Sequence, residues 1–133
     1  MRTREAAALV AFDEIQTGLG RTGAWWAESV EVVLPDLLCV GKALGGGVPI
    51  SACLGSQKVM DAWGASDGEA IHTQTFLGNP LACAAARASL GALVDVQAPE
   101  CCESRGAYLR QVLDPLKLTL RGRGLMLAAE VHT

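Results

Sequence analysis

The sequence has no CxxC pair and no cysteine–histidine set at zinc-binding spacing, and its five cysteines, at positions 39, 53, 83, 101 and 102, are an odd number. A structural zinc site and a closed disulfide framework are thereby excluded as the basis of the fold, and a reducing cytoplasm is the compartment that fits best. No block of like charge occurs either. Eleven basic residues stand against 14 acidic ones for a net charge of −3, so nothing tracks a phosphate backbone or an anionic membrane, and nucleic acid is not expected as a partner. No apolar stretch approaches the roughly 20 residues needed to cross a bilayer. Arg2 and Arg4 ahead of the apolar run Ala6 to Phe12 imitate the start of a signal peptide, but the run is short and ends in Asp13-Glu14 instead of a small-residue cleavage site. The expectation is a soluble protein whose first apolar run is a strand.

At 133 residues and 50% hydrophobic, the chain is long enough for one core and too short for two complete domains. Ala7 to Phe12 has the continuous apolar character of a strand covered on both faces. The glycine-rich loop Gln16 to Gly23 follows, then Trp25-Trp26 in a short helix or turn, and Pro35-Asp36 punctuates the chain. Leu37 to Val40 and Ile50 to Leu54 are two further short strands around Lys42 and the loop Gly45-Gly46-Gly47-Val48-Pro49. Ser56 is a suitable N-cap for a helix through Trp63, and Gly64 to Thr75 reads as a surface loop. Asn79-Pro80 opens the best helix, to about Val96, whose small side chains imply close packing against a sheet or a partner subunit. Pro99 opens another, to roughly Leu113. Gly122-Arg123-Gly124 ends the helical part, and Leu125 to Val131 looks like a strand with nothing after it to pair with. The alternation predicts an α/β fold with a mainly parallel sheet and flanking helices. A sandwich this thin, begun and ended by strands, is expected to be a portion cut at both ends.

Asp13-Glu14-Ile15-Gln16 and Lys42 are the residues that could carry chemistry. A pyridoxal cofactor needs a lysine amine to condense with its aldehyde and a carboxylate to keep its ring nitrogen protonated. Asp13 and Lys42 each lie just after an apolar run that would end at one sheet edge. Spacing permits the pairing without demanding it: a lone lysine after a strand is ordinarily a solvated surface residue, and a lone aspartate there is as often a turn residue.

The surrounding words carry more. Phe12-Asp-Glu-Ile-Gln-Thr-Gly-Leu-Gly-Arg-Thr-Gly23, Pro35-Asp36, Gly41-Lys-Ala-Leu-Gly-Gly-Gly-Val-Pro-Ile50, Thr75-Phe-Leu-Gly-Asn-Pro-Leu-Ala-Cys-Ala-Ala-Ala86 and Arg121-Gly-Arg-Gly-Leu-Met126 resemble, in order and spacing, the class III aminotransferases. These are the fold-type-I, pyridoxal-phosphate-dependent family that includes the ornithine, acetylornithine and 4-aminobutyrate enzymes. The resemblance runs from about Leu9 to the end. It implies that Lys42 is the Schiff-base lysine and the proton carrier, that Asp13 partners the pyridinium nitrogen, that Ile15 lies beneath the ring and that Gln16 bonds the phenolic oxygen. It further implies that Thr75 offers its hydroxyl to the cofactor phosphate of the neighbouring subunit, so that a complete site is dimeric. Residues 1–120 would be part of the large, cofactor-binding domain and residues 121–133 the start of the C-terminal small domain. The partners implied are a small-molecule amino donor and a 2-oxo acid, with pyridoxal 5′-phosphate as cofactor, no metal and no membrane.

Gly18, Gly20 and Gly23 also match GxGxxG, a dinucleotide fingerprint, but that motif follows a strand directly and opens a helix, whereas Asp-Glu-Ile-Gln-Thr intervenes here. His72 reads as a solvated loop residue, Cys39 and Cys53 as small core residues, and Cys101-Cys102 as helical thiols with no activating basic set. The resemblance also implies that the loop gripping the cofactor phosphate, the aromatic ring stacked on the pyridine and the arginine for the substrate carboxylate are not in this sequence. Two functional expectations therefore stand: a portion of an aminotransferase, or a non-catalytic remnant or partner-dependent half of a split enzyme.

Overall fold

The computed structural model describes residues 6, 8–27, 33–68 and 72–131. Its order is β1 (Ala11–Asp13), β2 (Leu37–Val40), a 3-10 turn (Lys42–Gly45), β3 (Ala52–Gly55), α1 (Gln57–Met60), α2 (Pro80–Asp95), α3 (Ala98–Leu113), β4 (Leu120–Arg123) and β5 (Met126–Ala129). Ala7, where the first strand was expected to begin, lies outside the described residues. Pairing starts at Ala11 because Asp36 occupies the main chain just before it. The Val10 N–H donates to Asp36 Oδ2 at 2.8 Å and the Asp36 N–H donates to the Val10 carbonyl at 2.7 Å.

The order across the sheet is β1-β2-β3. β1 and β2 run parallel, with Asp13 opposite Cys39, while β2 and β3 run antiparallel, with Cys39 opposite Cys53. The α/β class holds. The expectation of a mainly parallel sheet is met only by β1–β2, because the link from Gly41 to Ser51 holds one 3-10 turn and is too short for the crossover that a parallel return needs.

The final strand pairs with the one before it, as a strand with nothing after it must: β4 and β5 form an antiparallel hairpin with Arg123 opposite Met126. Gly124-Leu125 is a two-residue turn, with Gly124 in the left-handed region at φ 50°. Arg121 on β4 pairs with Glu130 just beyond β5.

Helix α2 begins as its sequence dictates. Asn79 Oδ1 accepts the Ala82 N–H at 3.1 Å and Pro80 takes the first helical position, where no amide is wanted. Ser56 Oγ likewise accepts the Val59 N–H at the start of α1, which passes into a 3-10 turn ending at Trp63. The core lies between the sheet's carboxyl end and α2. Leu19, Val40, Leu44 and Ala86 are buried there, with Trp26, Leu38, Ile50 and Leu93 packed around them. The helix is joined to the lysine turn by Ser89 Oγ, which donates to the Ala43 carbonyl at 2.8 Å.

Candidate functional site

The end of β1 and the end of β2 lie side by side, and the chain leaves each in a tight turn. After β1, the Glu14 N–H donates to the Cys39 carbonyl at 2.9 Å, extending the ladder one residue beyond the strand. Asp13 Oδ1 accepts the Ile15 N–H at 3.0 Å, a local bond characteristic of aspartate at a turn. Glu14 points inward, 4% exposed, and accepts from the Thr17 hydroxyl. That anchors the turn from within and leaves Asp13 and Gln16 exposed. Gly18 is needed where it stands: a Cβ there would lie 2.8 Å from the Glu14 carbonyl oxygen and 2.9 Å from the Trp26 ring.

After β2, Gly41 leads into Lys42, whose φ of 42° is in the left-handed region. A non-glycine residue there carries strain of order 1–3 kcal/mol, and such residues cluster at functional sites. The exposed Lys42 side chain reaches back across the sheet edge, and its Nζ donates to Gln16 Oε1 at 3.0 Å. Ile15 packs on Gly41, the residue before the lysine.

Lys42, Gln16 and Ile15 thus share an open cleft of about 700 Å³, bordered by Arg21, Met126 and Leu127 among others. Asp13 does not line this cleft; it edges a separate shallow depression with Phe12, Thr17 and Arg123. Thr75 is exposed in the turn before α2 and does not line the lysine cleft; its neighbours Gln74 and Leu77 border a second cleft beside β2 and β3, which Ile15 also lines. Three of the five residues expected at the site therefore meet. Asp13 stands at the same sheet edge without lining the lysine cleft, and Thr75 does not line it either.

The reactive set is a primary amine open to solvent, an amide that can accept from or donate to an oxygen substituent, an apolar branched side chain beside them, and a carboxylate on the adjoining strand. Such a set fits an aldehyde-bearing aromatic ring with a basic nitrogen. The amine can add to the carbonyl, and the carboxylate can balance a positive ring.

Sequence reasoning missed Met126, whose Sδ accepts from Gln16 Nε2 at 3.8 Å. The hairpin β4–β5 brings it 110 residues along the chain, and no local spacing signals that contact. Dinucleotide binding through Gly18, Gly20 and Gly23 is not supported. The three glycines sit in consecutive turns packed against Trp26 and α3, and Ala24, Trp25 and Trp26 follow as bends instead of opening a helix directly, so the strand–glycine–helix arrangement that would hold a pyrophosphate is not met. His72 makes an edge-to-face contact with Trp63, their ring centres 6.0 Å apart. Cys53, expected in the core, is exposed, because the outer face of β3 has nothing over it among the described residues.

The family model described as aminotransferase class-III matches residues 2–133. An acetylornithine aminotransferase of Methanopyrus kandleri is 41% identical over 130 residues, which is 96% of this chain and 32% of that protein. Among solved structures, the ornithine aminotransferase of Toxoplasma gondii, crystallised with partial occupancy of PLP at its active site, superposes with a TM-score of 0.87 at 43% identity, over 98% of this chain and 32% of that one. An (S)-enantioselective omega-transaminase from Thermomicrobium roseum gives a TM-score of 0.90 at 33% identity, over 98% and 31%. The chain spans about a third of the length of the relatives it matches.

Proposed function

Because the chain belongs to the class-III aminotransferase family, we propose that it is the lysine-bearing portion of a pyridoxal-phosphate-dependent aminotransferase. The full protein would transfer an amino group from an amino acid or amine donor to a 2-oxo acid. The observation that carries this is the meeting of Lys42 Nζ and Gln16 Oε1 at 3.0 Å, from two strand ends and in an open cleft, with Asp13 on the same edge.

Bound there, pyridoxal 5′-phosphate would supply an aldehyde and a ring able to take up the electron pair of a broken carbon–hydrogen bond. Lys42 would hold the cofactor covalently through Nζ. Once displaced by the substrate amine, the same nitrogen would carry a proton from one carbon to another as general base and then general acid. Its bond to Gln16 keeps the amine at the mouth of the cleft, and Gln16 can turn its amide to the ring oxygen when the lysine is engaged. Ile15 would form an apolar floor, Asp13 the counter-charge to the ring nitrogen, and Thr75 a hydroxyl for the phosphate bound in a neighbouring subunit of a homodimer. We further assign residues 1–120 to the cofactor-binding large domain of the fold-type-I architecture and 121–133 to the start of the small domain.

The test is borohydride reduction of the protein mixed with pyridoxal phosphate, followed by peptide mapping. Fixation on the peptide that contains Lys42, with loss of both the adduct and the yellow absorption band in Lys42→Ala, is the expected result. An adduct of equal yield in Lys42→Ala refutes the assignment.

A further inference from the structure

None of the five thiols has a part in the chemistry above. Three are on helices, Cys83 on α2 and the half-buried Cys101 and Cys102 on α3. The other two face each other. Cys39 on β2 and Cys53 on β3 are direct partners in the antiparallel register, so their side chains leave the same face of the sheet. Both line the open cleft of about 980 Å³ beside β2 and β3, with Cys53 exposed and Cys39 half-buried. Opposed residues of an antiparallel pair hold their Cβ atoms about 4.5–5.5 Å apart, and a disulfide needs roughly 3.5–4.5 Å. Closing the bond asks for a slight approach of two strands and no rearrangement, and a bond made under such strain is readily reduced again.

We propose that Cys39 and Cys53 are a reversible cross-strand dithiol–disulfide site that reacts with low-molecular-weight disulfides. The exposed Cys53 sulfur, as thiolate, attacks one sulfur of the reagent, whose S–S bond breaks; the departing thiolate takes up the proton that Cys53 released. The Cys39 sulfur then attacks Cys53 in the mixed disulfide and expels the second half of the reagent as a thiol, which takes the Cys39 proton. Two protein thiols are oxidised to one disulfide, and the reagent is reduced to two thiols. Cys39 suits the second step. Burial, then the adjacent Cys53 and Asp13, raise its thiol above the ordinary range, so it is the poorer first nucleophile. The bond would tie together the two strands that flank the Lys42 loop, in the same row of the sheet as Asp13. The site rests on strand register and does not depend on the cofactor assignment.

The test is incubation of the purified protein with bis(2-hydroxyethyl) disulfide, capping of free thiols with a maleimide, and non-reducing peptide mapping by mass spectrometry. Expected are a linked Cys39–Cys53 peptide pair that dithiothreitol dissolves, loss of that preference when the reaction is run in denaturant, and a persistent mixed disulfide on Cys53 in Cys39→Ser. A mixed disulfide that accumulates on Cys53 with Cys39 free in the unsubstituted protein overturns the proposal. So does preferential linkage to Cys83, Cys101 or Cys102, or both thiols remaining unreacted.

Discussion

Lys42 holds two roles that can be separated by substitution. Its left-handed backbone costs stability, because every side chain with a Cβ crowds the following carbonyl there, whereas glycine does not. Lys42→Gly is therefore expected to be more stable than Lys42→Ala by roughly 1 kcal/mol in chemical denaturation, with both variants failing to fix the cofactor. Equal stability of the two would remove the strain from the account of this turn. Asp13 offers a different separation. Asparagine keeps an oxygen for the Ile15 amide, so Asp13→Asn should fold normally. It loses the negative charge proposed to face the ring nitrogen, and in the full-length enzyme turnover is expected to fall about ten- to a hundredfold with the cofactor still bound. Steady-state kinetics at saturating cofactor checks this, and unchanged turnover counts against the role. Both residues were legible from the sequence, since each follows an apolar run and sits within a long family word. That Lys42 rests on Gln16 while Asp13 does not border their cleft was not, because side-chain direction depends on the turn each strand ends in.

Elements start where local chemistry tells them to and pack where only the fold decides. Asn79→Ala removes the acceptor for the Ala82 amide at the head of α2, an expected loss of about 1 kcal/mol measurable by thermal or urea unfolding. Loss of the cap should loosen Ser89 and with it the brace on the lysine turn. Gly106 in α3 looks like a helix-weakening residue when read alone. It is where the β4–β5 turn comes closest, since a Cβ there would lie 2.1 Å from the Gly124 carbonyl oxygen. Gly106→Ala should accordingly cost about 2–3 kcal/mol or more by overpacking, against the gain alanine ordinarily brings to a helix, and unfolding midpoints decide the sign. The helix starts at Ser56 and Asn79 were legible because capping is a local code. The pairing of β5 with β4 was obscured by Arg121-Gly122-Arg123, which lacks strand-forming residues and holds its place through the hairpin turn and the Arg121–Glu130 pair.

Over the molecule as a whole, apolar side chains stay in water on the faces of α2 and the turn before it. Phe76 is 76% exposed and Leu81 72%, with Leu77, Val94 and Val96 also open. No large side chain among the described residues is wholly buried, although the composition is half hydrophobic. Such a surface should bind a hydrophobic dye under native conditions. The 133-residue chain is expected to enhance anilinonaphthalene sulfonate fluorescence at low denaturant and lose that signal on unfolding; no enhancement in the folded chain would mean that these faces are covered, by self-association for instance. The sequence by itself determined the α/β class, the family, the place of Lys42 just after a strand and the helix starts, because each is written in contiguous residues whose chemistry acts locally. Tertiary structure alone decided that β3 returns antiparallel, that Met126 braces Gln16, that Asp13 stands outside the lysine cleft and that Cys39 meets Cys53. Those outcomes depend on how short links bring distant strand ends and side-chain directions together, and no spacing along the chain encodes that.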